Sequence, residues 1–217
     1  MKKKIVFVCL AICFSLTSQA HAIIIYDTLG PLNSISGTGW VVGRGGSSSI
    51  YDSADAFIPT DNYSLDSVDL AVGLINGINE VDISLMSDNA GQPGSIIESW
   101  NIVGEMGEWG FDTPIISVDS TINPLLSVGN QYWLVASAPK ADLNDPSTAT
   151  LAAWNENTLS IFSTHAFRLN KNTWSISQDS QGAFRVHGSV PTPEPEVMFL
   201  FGSGIIGGLA LRRRRPV

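Results

Sequence analysis

The sequence predicts an all-β protein, a single antiparallel β-sandwich of jelly-roll-like type, flanked by two terminal segments that are not part of it. Between residues 23 and 190 the apolar residues come in short runs that alternate with period two. Those runs are cut by Gly, Asn, Asp, Ser and Pro. No stretch longer than ten residues carries the apolar stripe of a helix. The 168 residues of this region form one domain, long enough to bury a core.

Residues 1–22 read as a secretory signal peptide. Lys2, Lys3 and Lys4 form a basic start, residues 5–16 an apolar stretch, and Ala20-His21-Ala22 an A-x-A cleavage site. The translocon and signal peptidase are the partners this leader implies. Both cysteines, Cys9 and Cys13, lie inside it, so the exported chain has no disulfide, thiol nucleophile or thiolate metal site.

Candidate strands follow at 23–26, 39–42, 53–57, 67–75, 78–86, 97–103, 115–118, 131–137, 152–155, 166–168, 173–176 and 183–188. The sharpest local expectation is a hairpin on Asn76-Gly77, a pair suited to a type I′ turn. That turn would set Val72 against Val81, Leu70 against Ile83 and Val68 against Leu85, all six on one buried face. Residues 87–95 and 127–130 are turn-rich connections, and 140–147 is a surface loop.

The chain ends in three parts. Residues 191–196 are a Pro/Glu spacer, 197–211 an uncharged apolar run, and 212–217 a basic end with Arg212, Arg213, Arg214 and Arg215. As a helix the fifteen-residue run spans about 22 Å, less than the hydrocarbon core of about 30 Å. It reaches across only with snorkelling arginines or local thinning, and the arginines mark a cytoplasmic end. Residues 197–211 are therefore expected to form a transmembrane sorting helix.

This tail resembles the PEP-CTERM sorting signal of Gram-negative bacteria. The resemblance rests on Pro193-Glu194-Pro195, on Gly202, Gly204, Gly207 and Gly208 in the apolar run, and on the arginine cluster. It implies handling by an exosortase, a membrane transpeptidase acting near Pro193-Glu194-Pro195. It also implies a precursor tethered in the inner membrane that is then moved to the cell surface or extracellular matrix. The domain itself resembles the choice-of-anchor R ectodomains. The matching stretches include Tyr63-Ser64-Leu65, Val81-Asp82-Ile83-Ser84-Leu85, Gly91-Gln92-Pro93-Gly94, the run from Gly129 to Val135, Ala153-Trp154-Asn155 and the run from Ala183 to Gly188. That resemblance implies a β-sandwich and nothing about catalysis.

Charge narrows the function classes. Residues 23–190 hold five basic and eighteen acidic residues, a net charge of −13. Nucleic acid and anionic lipid need basic patches, so neither is an expected ligand. Of the histidines only His165 and His187 follow the leader. No G-x-S-x-G elbow and no His-x-x-x-His pair accompanies them, and strand alternation puts His187 on the outer face with Arg185. Glu98, Glu105, Glu108 and Asp112 gather around Trp100, Trp109 and Phe111, but a glycosidase needs a carboxylate spacing that sequence does not supply.

No cofactor is expected beyond a structural calcium ion. Asp88, Asn89, Asp142, Asn144, Asp145 and Asp179 sit in loops that could supply its oxygens. All six tryptophans lie in the domain. Trp133 belongs to the core, and Trp109, between Glu108 and Gly110, is the candidate for stacking on a sugar ring. The expected role is structural or adhesive and not enzymatic. The alternatives are a carbohydrate-binding module of the exopolysaccharide matrix and a secreted glycan-active enzyme.

Overall fold

The computed structural model describes residues 22–45, 49–139 and 149–191. The sorting motif, the apolar run, the arginines, Ala20 and the loop residues Asp142, Asn144 and Asp145 lie outside the described residues. The described chain is all-β, with one single-turn 3-10 segment at Pro31–Asn33 and no α-helix among the described residues. Its strands are β1 (Ile23–Asp27), β2 (Ile35–Gly45), β3 (Ser49–Phe57), β4 (Tyr63–Leu70), β5 (Val72–Gly77), β6 (Glu80–Asp88) and β7 (Pro93–Val103). They continue with β8 (Ile116–Asp119), β9 (Leu125–Leu126), β10 (Tyr132–Ser137), β11 (Thr150–Asn157), β12 (Phe162–Leu169), β13 (Ser175–Ser180) and β14 (Phe184–Ser189). Each candidate run overlaps a strand. The run 67–75 covers two of them, and β9 falls between the runs.

Two antiparallel sheets face each other. One runs β1-β14-β4-β8, with β9 also pairing β4 beyond β8. The other runs β5-β11-β2-β3-β10-β6-β7, with β12 on β3 and β13 on β12. Five steps separate β5 from β6 in that order, about 24 Å on a flat sheet. Yet only Ile78 and Asn79 join them, a reach of about 11 Å. The larger sheet must therefore curl back on itself, and its two edges do meet. Leu74 donates its amide to Gly107 O and accepts from Trp109 N, so the chain leaving β7 lies beside β5. This curled pair of sheets is consistent with a sandwich.

Period-two alternation builds the core. Tyr132, Leu134 and Ala136 of β10 point into the main core, with Val68, Leu70, Phe184 and Val186 facing them from the smaller sheet. Trp133 and Val135 point the other way, into a second cluster with Ala54, Ala56, Met86 and Ala166. β3 and β10 thus have both faces buried.

The Asn76-Gly77 hairpin does not form. Val68, Leu70, Val72, Val81, Ile83 and Leu85 are all fully buried, as the pattern required. Their partners differ, however: Val72 lies opposite Trp154, Val81 opposite Ile102 and Leu70 opposite Ile116 and Phe184. Two physical reasons are visible. A type I′ turn needs positive φ at both central positions, and only Gly77, at +88°, has it. In addition, Ala71 breaks the long run into β4 and β5 and sends the chain from one sheet to the other. Its amide donates to Ala183 O and its carbonyl accepts from Asn155 N. Ala71 itself is buried with Leu29, Ile35 and Ala183.

Candidate functional site

The two ends of the domain leave together. Ile23, the first residue of β1, lies opposite Gly188 near the end of β14. Ala22 before it is exposed, and Val190 after β14 is exposed too. β14 sits between β1 and β4, so the strand leading into the tail is central in its sheet. Residue 22, where the leader is expected to be cut, and the tail exit therefore share one end of the five-stranded sheet.

Beside that exit runs the connection from β8 to β9, fixed by a buried carboxylate. Glu98 of β7 accepts from Ser120 Oγ at 2.6 Å, Thr121 N at 2.6 Å and Thr121 Oγ1 at 2.9 Å. Burial alone would raise its pKa. The hydrogen bonds from Ser120, Thr121 and the Ile122 amide outweigh that and hold it below the ordinary glutamate value. Asn123 ties the same loop to β4 by donating to Leu65 O. Glu98 is thus a structural staple, apart from exposed Glu105, Glu108 and Asp112. A signal for it existed: Ser120-Thr121-Ile122-Asn123-Pro124 is a turn whose free amides need an acceptor.

The histidines have separate surroundings. His187 lies on the outer face with Arg185, its Nε2 2.8 Å from Asp69 Oδ2, while Ser117 Oγ donates to Asp69 Oδ1. Serine and histidine both address the carboxylate and not each other, which is not the relay of a triad. His165 is fully buried, its Nδ1 3.1 Å from Asp55 Oδ1, with the Trp40 ring stacked on it at 3.9 Å. Asp55 Oδ2 also accepts from Gly182 N. Close by, Tyr26 donates its hydroxyl to Gln181, and burial, reinforced by the Asp55 charge, pushes the Tyr26 pKa up to about 12. Sequence reasoning missed the Asp55–His165 pair. Its signal was an aspartate flanked by Ala54, Ala56 and Phe57, where a buried charge demands a partner.

None of the six tryptophans is exposed. Trp133 and Trp154 are fully buried, and Trp40, Trp100, Trp109 and Trp174 are half-buried. Trp109 packs its backbone on β5, where a Cβ at Gly73 would stand 2.6 Å from its Cα, and its Nε1 is buried without an acceptor among the described residues. Its neighbour Phe111 is 78 % exposed and lies over Gly37. Of the calcium candidates in the described residues, Asp88 accepts from Gln131, Trp133 and the Gly91 amide, and Asp179 from the Ser180 amide. No cluster of three or more His, Cys, Asp or Glu side chains suited to a metal occurs among the described residues. Two shallow depressions of about 210 and 370 Å³ share Gln131 on the surface. No helix among the described residues is long and apolar enough to cross a membrane.

Comparison with protein families matches the PEP-CTERM protein-sorting motif over residues 191–215. It covers the tail and leaves the ectodomain resemblance without support of its own. No curated protein and no solved structure matches the chain. The chain thus ends in a PEP-CTERM sorting motif, which marks it as an exported exosortase substrate, anchored in a membrane and then placed at the surface.

Proposed function

We propose that the chain is a non-enzymatic structural or adhesive protein of a Gram-negative cell surface or extracellular matrix. A cleaved leader exports it through the translocon, a short apolar helix tethers it, and an exosortase acts near Pro193-Glu194-Pro195. Its ectodomain is a jelly-roll-like sandwich of the choice-of-anchor R kind. The observation that carries the adhesive role is Leu32. This side chain is fully exposed on a backbone at φ 61°, a conformation that costs a non-glycine residue about 1 kcal/mol or more. Arg185 clamps its loop by donating to Gly30 O and Asn33 Oδ1. The loop follows β1, at the end of the five-stranded sheet opposite the tail exit. An apolar side chain held out under strain, away from the tether, suits contact with a neighbour. Leu32→Asp should leave the far-UV spectrum unchanged and reduce the surface-retained fraction of processed protein several-fold. Unchanged retention would overturn the adhesive role.

A second reading, a carbohydrate-binding module of the exopolysaccharide matrix, is favoured by Phe111 exposed beside Trp109. Co-sedimentation with purified exopolysaccharide, lost in Phe111→Ala and kept in Leu32→Asp, would select it.

A further inference from the structure

The end of the five-stranded sheet from which the tail departs is tipped with exposed aliphatic side chains. Ser189, the last residue of β14, lies opposite Ser64 of β4, and Ser64 lies opposite Leu125 of β9. Neighbouring strands stand about 4.8 Å apart, so Val190 and Leu125 flank one narrow edge. Val190 is 60 % exposed, Ile122 60 %, Leu125 57 % and Val128 51 %. The last three recur at every third residue of one connection, and that connection is fixed. Glu98 caps its start, Ser64 Oγ donates to Asn123 O, and Val128 N donates to Asn62 Oδ1. None of the five basic residues of 23–190 falls in this connection or in the strand ends beside it.

We propose that this edge is a membrane-facing surface on which Ile122, Leu125 and Val128 seat against a zwitterionic phospholipid bilayer while the tail holds the precursor. The occupant follows from where the chain goes. Only residues 190–196 separate Ser189 from the apolar run. At 3.3–3.6 Å per residue they keep the domain within roughly 25 Å of the bilayer. The leader junction departs at the same end, because Ile23 lies opposite Gly188. So short a tether gives an effective concentration in the mM range, enough for three aliphatic side chains to hold a contact they could not make from free solution. The domain's negative charge favours neutral over anionic headgroups. The inference rests on the tail being a membrane anchor.

The test uses the full chain, recovered from membranes of a host without an exosortase and reconstituted by its own tail in phosphatidylcholine vesicles containing brominated lipid. Cys9→Ser and Cys13→Ser remove the native thiols. A dye is attached at Leu125→Cys or, about 23 Å away along β4 at the opposite end, at Leu32→Cys. With side chains seated about 5–10 Å into the interface, quenching at Leu125 should exceed that at Leu32 by about twofold or more. Ile122→Asp with Val128→Asp should bring the two positions level while the far-UV spectrum is unchanged. Equal quenching in vesicles that float with bound protein would overturn the membrane surface and leave the anchor standing. Quenching at Leu125 that appears only after an exosortase is added would overturn it in favour of a protein occupant. A chain that does not float overturns both readings.

Discussion

Asp55 and His165 are both fully buried, and each makes the other's burial tolerable. The carboxylate can only accept, so the ring donates from Nδ1 and leaves Nε2 without a partner among the described residues. Trp40 covers the ring face, and the Gly182 amide satisfies the second carboxylate oxygen. Glu98 is held by the same logic of pooled donors, and its shift has a consequence for acid stability. Its folded pKa lies below the unfolded value of about 4.3. Its contribution is therefore fully present above that value and is lost as pH falls through the folded pKa. In Glu98→Gln the urea midpoint should be lower than wild type at neutral pH and should converge on it as pH falls below about 4. Parallel wild-type and mutant curves across that window would show that the staple carries no pH dependence. Neither residue's role was legible from strand alternation alone. A strand pattern tells which face a residue occupies, and in β3 both faces are buried, so alternation gave no warning that Asp55 was inside.

β4 and β5 show where pattern reading succeeds and where it stops. The apolar positions at 68, 70, 72, 81, 83 and 85 were readable because burial on one face requires period two. Their strand partners were not, because the same face can be buried by a neighbour in the sheet or by the opposing sheet across the core. What decided between them was Ala71, a small residue whose backbone bonds to Asn155 and Ala183 turn the chain a corner. Those two partners are more than 80 residues away, which is why no local rule found them. The burial itself is testable. Val72→Asp would place an unpaired charge beside Trp154 and Leu70, and should cost roughly 3–5 kcal/mol in chemical denaturation. Ile75→Asp, on the same strand but 45 % exposed, should cost less than about 1 kcal/mol. Similar losses at the two positions would mean that β5 is not the buried edge described here.

At the scale of the whole molecule the last strand ties folding to sorting. β14 supplies Phe184 and Val186 to the core and hydrogen-bonds to β1 on one side and β4 on the other. The smaller sheet therefore cannot close until the chain to Ser189 has crossed the membrane. On the proposed topology the apolar run at 197–211 would by then be entering it, and Arg212 to Arg215 would oppose further transfer at about 2.5–3.5 kcal/mol for each arginine drawn to the centre. That topology would leave Pro193-Glu194-Pro195, whose prolines disfavour helix and sheet pairing, between a folded domain and the bilayer. If an exosortase reads this block, Glu194→Ala should accumulate unprocessed protein in the membrane fraction with the ectodomain as protease-resistant as wild type. Changing Arg212 to Arg215 to serine should instead weaken the stop and release full-length protein from the membrane. Mass spectrometry of the C-terminus, with fractionation, distinguishes the two outcomes. Normal processing and placement in both variants would reduce the tail to an ordinary anchor, and the Pro/Glu block to a spacer.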